Sequence, residues 1–107
     1  MAGYEFSAEV ENDLFEIWIA IAGHNEAAAG RVEDELRRTF GSLAECPGQG
    51  HRRRELSGRL RFWPVWDYLV AYRPEPSPIL ILGVLHGRRN PDTLAKILRS
   101  RQRLEHS

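Results

Sequence analysis

"LRFWPVWDYLVAYRPEPSPILILGVLHGRRN", residues 60 to 90, decides how this chain is read. Two runs rich in aromatic and β-branched residues flank a proline-rich turn, Pro74 to Pro78. That pattern predicts a β-hairpin of strands over 66–73 and 79–86. In the second run Ile79, Leu80, Ile81, Leu82, Val84 and Leu85 follow almost without a polar break, as in a central strand covered on both faces. A third strand over 59–63 precedes them. If its Leu60 and Phe62 face a core, alternation sends Arg59, Arg61 and Trp63 to the other face. The long strand ends abruptly in His86, Gly87, Arg88 and Arg89.

Upstream the periodicity changes. Residues 3–6 read as a short strand, and Ser7 is placed to cap a helix by accepting a hydrogen bond from its first turn. Glu9 and Glu11 follow where the helix dipole favours negative charge. Val10, Leu14, Ile17, Trp18 and Ile21 then form a helical apolar stripe, widened by Phe15 and Ile19. Gly23-His24-Asn25 stops that helix, and Asn25 caps a second one over 26–45, whose stripe is Val32, Leu36, Phe40 and Leu43. Glu33–Arg37 and Asp34–Arg38 support it as acid-before-base pairs one turn apart. So short a connection predicts an antiparallel helical hairpin. "CPGQG" ends it, and 51–59 read as a basic loop. After the sheet, Asn90 and Pro91 open a last helix carrying Leu94, Ile97 and Leu98, and "SRQRLEHS" reads as a fraying charged tail. The expected fold is α+β: an N-terminal strand, an antiparallel helical hairpin packed on a small, mostly antiparallel sheet, and a C-terminal helix.

At 107 residues, 42% of them hydrophobic, the chain is expected to form one domain over 1–107. No apolar run approaches the roughly 20 residues of a membrane helix, so no membrane partner is expected. The acidic start lacks a signal-peptide layout, and the single Cys46 permits no internal disulfide; both fit a cytoplasmic location. The net charge of zero conceals a division. Residues 1–50 hold three arginines against ten carboxylates, a balance of −7; residues 51–107 hold twelve cations against five, a balance of +7. A basic half invites an acidic partner.

Catalytic signatures are missing. His24, His51, His86 and His106 show no metal-ligand spacing, and Cys46 has no thiolate partner, so neither metal nor cofactor is expected. No glycine-rich phosphate cradle or nucleophile turn is present. What stands out is arginine: Arg59 and Arg61 around Leu60, then Arg88 and Arg89 after the long strand. Converging guanidinium groups suit carboxylate or phosphate recognition; the alternative is pairing with Asp67, Asp92 or a helix carboxylate. His86 serves either as an acid–base group or as a hydrogen-bonded residue at the strand end.

The stretches "YEFSAEVENDLFEIWIAIAGHN", "AAAGRVEDELRRTFGSLAECPGQGHRR", "LRFWPVWDYLVAYRP" and "ILILGVLHGRRN" together resemble the RelE/ParE toxin superfamily of type II toxin–antitoxin systems. Within it the motifs are similar to the ParE-like branch. That resemblance implies a toxin that inhibits DNA gyrase by binding, without catalysis, and is neutralised by a cognate antitoxin, ParD-like or similar. Operator DNA would be reached only indirectly, through the antitoxin. The RelE-like alternative is a ribosome-dependent mRNA endonuclease. Such enzymes place a cation just after the tyrosine of the middle strand, where this chain has Leu69 after Tyr68, and usually a tyrosine near the C-terminus, which is missing after Arg89. The set is depleted for RNA cleavage, because charge stabilisation is usually the largest catalytic contribution. One departure from ParE-like chains is Asn90, where an aspartate is common. No catalytic residue is therefore assigned, and Arg61, His86, Arg88 and Arg89 are the candidate target-binding residues.

Overall fold

A computed structural model describes residues 3–105; His106 and the end of the charged tail lie outside them. Along the chain run β1 (Tyr4–Phe6), α1 (Val10–Ala22), α2 (Glu26–Glu45), a 3₁₀ turn (Pro47–Gln49), β2 (His51–Arg53), β3 (Ser57–Val65), β4 (Tyr68–Arg73), β5 (Ile79–His86) and α3 (Pro91–Glu105). The sheet order is β1-β5-β4-β3-β2, with β1 parallel to β5 and every other pairing antiparallel. This is the expected α+β arrangement, with the helical hairpin on one face and α3 on the other.

Strand alternation sorts the core into two layers. Val65, Val70, Tyr72, Ile79, Ile81 and Val84 pack against Val10, Leu14, Ile17, Val32, Leu36 and Phe40 of the hairpin. Leu60, Phe62, Leu69, Leu80, Leu82 and Leu85 pack against Leu94 and Leu98 of α3. Hence β5 is buried almost throughout, as its unbroken apolar run requires. It is interior but not central, since β4 holds the middle of the sheet. On β5, Ala71 pairs with Gly83 and Tyr72 with Ile81, so Leu82 is an extra residue in the ladder. That bulge reverses which residues face which layer, and it explains why Ile81 and Val84 share a side.

Several expectations need correction. The segment read as a loop, 51–59, contains β2 and the start of β3. His51 stacks its ring on Trp63 at 5.7 Å, and the pairing comes from β3 rather than from local propensity. The strand expected from residue 66 starts at Tyr68, because Trp66 and Asp67 make the hairpin turn. Ser7 does not cap α1: the N-cap is Glu9, without a side-chain bond, while the buried Ser7 hydroxyl donates to the Leu82 carbonyl at 3.2 Å. Of the α1 stripe, Val10, Leu14 and Ile17 are buried, but Phe15 is 61%, Trp18 37% and Ile19 54% exposed. The tail does not fray at residue 100; α3 continues to Glu105. Asn25 caps α2 as expected, accepting from the Ala28 amide at 3.0 Å, and Asn90 accepts from the Asp92 amide at 2.8 Å at the start of α3.

Candidate functional site

The end of β5 meets the tip of the β3–β4 hairpin. Tyr68 pairs with His86 across the ladder, and their rings touch edge to face at 5.5 Å. A two-residue loop between twisted strands requires a positive φ, and Trp66 supplies it with φ 56°, a conformation unusual for a bulky side chain. Its indole N–H donates to the Glu35 carboxylate of α2, yet the ring stays 57% exposed. The Gly87 amide donates to the Asp67 carbonyl at 2.8 Å, and a Cβ on Gly87 would sit 3.3 Å from that oxygen. The strand-end loop is therefore tied to the hairpin tip by backbone contact.

The four candidate residues divide in position. Arg88 forms an ion pair with Asp67 at 3.7 Å, with both side chains largely exposed, a geometry that contributes little to stability. His86 accepts the Arg88 amide hydrogen through Nδ1 at 3.3 Å, which leaves Nε2 to carry the proton of a neutral ring. Arg89, exposed and in no ion pair among the described residues, lines a cleft of about 180 Å³ beside Asp13, Glu16, Ile17, Tyr68 and His86. Burial, then the Asp67 charge, raises the Tyr68 phenol above its ordinary pKa, so it keeps its proton at neutral pH.

Arg61 lies elsewhere. It pairs with Tyr72, which in turn pairs with Ile81. Strand rise puts that position about 16 Å along β5 from His86. There Arg61 donates to the Gly50 carbonyl at 2.9 Å, while the Tyr72 hydroxyl accepts from the Gly50 amide at 2.9 Å and donates to the Pro47 carbonyl at 2.6 Å. This latch fastens the end of α2 to the sheet. The two arginine groups therefore do not converge. Leu69 is 8% exposed and faces α3 in the core, away from the His86 cleft.

Trp66 belongs to this surface and escaped sequence reading, whereas Asp67, named there as an alternative partner for the arginines, does pair with Arg88. The available signal was a bulky Trp66 at the one place where a two-residue turn prefers Gly, Asn or Asp.

A guanidinium in no ion pair among the described residues and a hydrogen-bonded imidazole thus line a shallow cleft, with an exposed indole at the adjoining hairpin tip. A family model described as "ParE toxin of type II toxin-antitoxin system, parDE" matches residues 4–91. The chain belongs to the ParE toxin family. No curated protein matches it. In this ParE-family chain the match takes in the helical hairpin, all five strands and the His86–Arg89 loop, and it stops at the first residue of α3. Membership makes the chain the toxin of a type II toxin–antitoxin module and implies a cognate antitoxin as partner. No helix among the described residues is long and apolar enough to cross a membrane.

Proposed function

We propose that this ParE-family toxin acts by binding DNA gyrase rather than by cleaving RNA, and that its antitoxin, ParD-like or similar, neutralises it by covering exposed apolar surface. The supporting observation is the position after Tyr68. Leu69 points into the core, and the cleft beside His86 carries one arginine in no ion pair among the described residues, opposite the Glu16 carboxylate, while Asp13 on the same wall is already paired with Arg101. Phosphoryl chemistry requires several cations gathered on the scissile group, each worth on the order of 10²-fold in rate. A single arginine facing the Glu16 carboxylate does not gather that charge.

The antitoxin reading draws on α1. Phe15, Trp18 and Ile19 expose an apolar strip beside Glu11 and Glu16, the kind of face that a partner helix covers. Operator DNA would then be contacted by the antitoxin alone. The deciding experiment gives purified toxin, free of antitoxin, to a plasmid supercoiling reaction with gyrase and, in parallel, to a translating ribosome system read by primer extension. Loss of supercoiling with intact transcripts is expected. Codon-dependent cuts with unaffected supercoiling would establish the mRNA endonuclease instead.

A further inference from the structure

At the end of the sheet away from His86, a cleft of about 490 Å³ opens between the start of β3, the end of β4, the β4–β5 turn and the last turns of α3. Its floor is aliphatic: Leu60, Leu80 and Leu82. Three arginines, Arg52, Arg59 and Arg73, are among the residues that line it. None makes an ion pair among the described residues, although Glu75 and Glu105 line the same cleft. The Arg73 Nε is buried without any hydrogen-bond partner. An unsatisfied buried donor is costly, and the cost is greater for a charged group. A ligand carboxylate that displaces the groups covering it would satisfy it.

We propose that this cleft binds an acidic peptide segment of the cognate antitoxin, seating a leucine-sized side chain on the leucine floor and a neighbouring carboxylate on Arg73 and Arg59. It rests on family membership for the existence of the antitoxin and is independent of gyrase as target. The volume lies in the range of small ligand sites. Glu75 and Glu105 disfavour a polyphosphate chain, whereas a peptide presents one carboxylate among neutral groups. Planar guanidinium forks match a carboxylate in two parallel hydrogen bonds. The basic C-terminal half supplies the long-range attraction.

The test is a titration of the full ¹⁵N-labelled chain with an acetylated, amidated pentapeptide Leu-Glu-Gln-Leu-Leu. Its Leu-Gln-Gln-Leu-Leu counterpart and a 5′-phosphorylated dithymidine serve as comparisons. The acidic peptide should move the amides of Arg59, Leu60, Arg73, Leu82 and Gln102, and bind about tenfold tighter than the glutamine version, the effect of one charge-assisted pair. Arg59→Gln, at an exposed position, should weaken binding about tenfold with melting unchanged, while Arg99→Gln on the outer face of α3 should leave affinity alone. Equal binding of the two peptides, tighter binding of the dinucleotide, shifts clustered on α1, or no shifts at all would each overturn the proposal.

Discussion

Asp13 of α1 and Arg101 of α3, from opposite sides of the sheet, meet at the bulge of β5. The Arg101 guanidinium donates to both Asp13 carboxylate oxygens, at 2.6 and 3.0 Å, and to the Leu82 carbonyl at 3.0 Å. Asp13 also accepts from the Val84 amide at 3.1 Å. β1 pairs only as far as Ile81, so beyond it β5 has a free edge whose backbone groups need partners. Ser7, Asp13 and Arg101 supply them. Gly83 admits the pair, since a Cβ there would lie 2.8 Å from Arg101 Nη1. Burial alone would lower the Arg101 pKa, but the hydrogen bonds and charge of Asp13, with the charges of Glu9 and Glu16, raise it above the usual arginine value. Arg101 therefore keeps its charge at every ordinary pH.

Both side chains are mostly buried, at 14% and 9% exposure. Removing one partner from such a pair leaves an uncompensated charge, at a cost of about 3–5 kcal/mol. Arg101→Met and Asp13→Asn should each lower stability to urea by at least about 2 kcal/mol, and the double variant should lose less than the sum. Additive losses below about 1 kcal/mol would show that the contact is incidental.

That contact also marks where sequence reading ends. The helical hairpin was legible because Val32, Leu36, Phe40 and Leu43 repeat at helical spacing and Asn25 caps the helix they define. β5 was legible because an unbroken aliphatic run needs cover on both faces. Arg101 was not, since it lies among charges in a segment that looks like a solvated tail, and its partner is 88 residues away. Asp13 offered a hint, one carboxylate amid the buried positions Val10, Leu14 and Ile17. β2 was hidden for a different reason: its three residues become a strand through pairing with β3. At the candidate site, composition identified the arginines, but only register separated Arg61 from Arg88 and Arg89.

That separation has a consequence for mutation. Arg61→Ala removes a charged hydrogen bond to the Gly50 carbonyl, worth about 1.5–3 kcal/mol, and should lower the melting temperature by several degrees. Arg88→Ala and Arg89→Ala change exposed side chains and should alter stability by less than about 0.5 kcal/mol. Growth arrest on induction should nonetheless weaken in the latter two. Full toxicity of an Arg88/Arg89 double alanine variant would remove the strand-end loop from the target surface.

Trp18 and Phe40 both belong to helical apolar patterns, yet Phe40 is fully buried while Trp18 is 37% exposed. Phe40→Ala should cost about 3–5 kcal/mol and deplete folded protein. Trp18→Ala should cost well under half as much while weakening antitoxin binding, as loss of an aromatic anchor does. Calorimetric titration with the antitoxin, beside thermal melting, separates the two effects. Trp18→Ala melting as low as Phe40→Ala would assign Trp18 to the core.

Tyr72 links stability to alkaline pH. Its ring is fully buried, and burial raises the phenol pKa above its ordinary 10.0, more than the Gly50 hydrogen bond and the Arg61 charge lower it. Above about pH 10 the unfolded chain releases this proton while the folded chain retains it. The unfolded state then binds fewer protons, so stability must fall as pH rises. Tyr72→Phe has no proton to release, but it loses the bonds to Gly50 and Pro47. It should be less stable than the native chain by about 1–3 kcal/mol at pH 8. Between pH 9.5 and about 11 the native melting temperature should drop faster than the variant's, narrowing the gap. Parallel melting curves across that window would indicate that the Tyr72 hydroxyl titrates alike in folded and unfolded chains, and that burial does not dominate its titration.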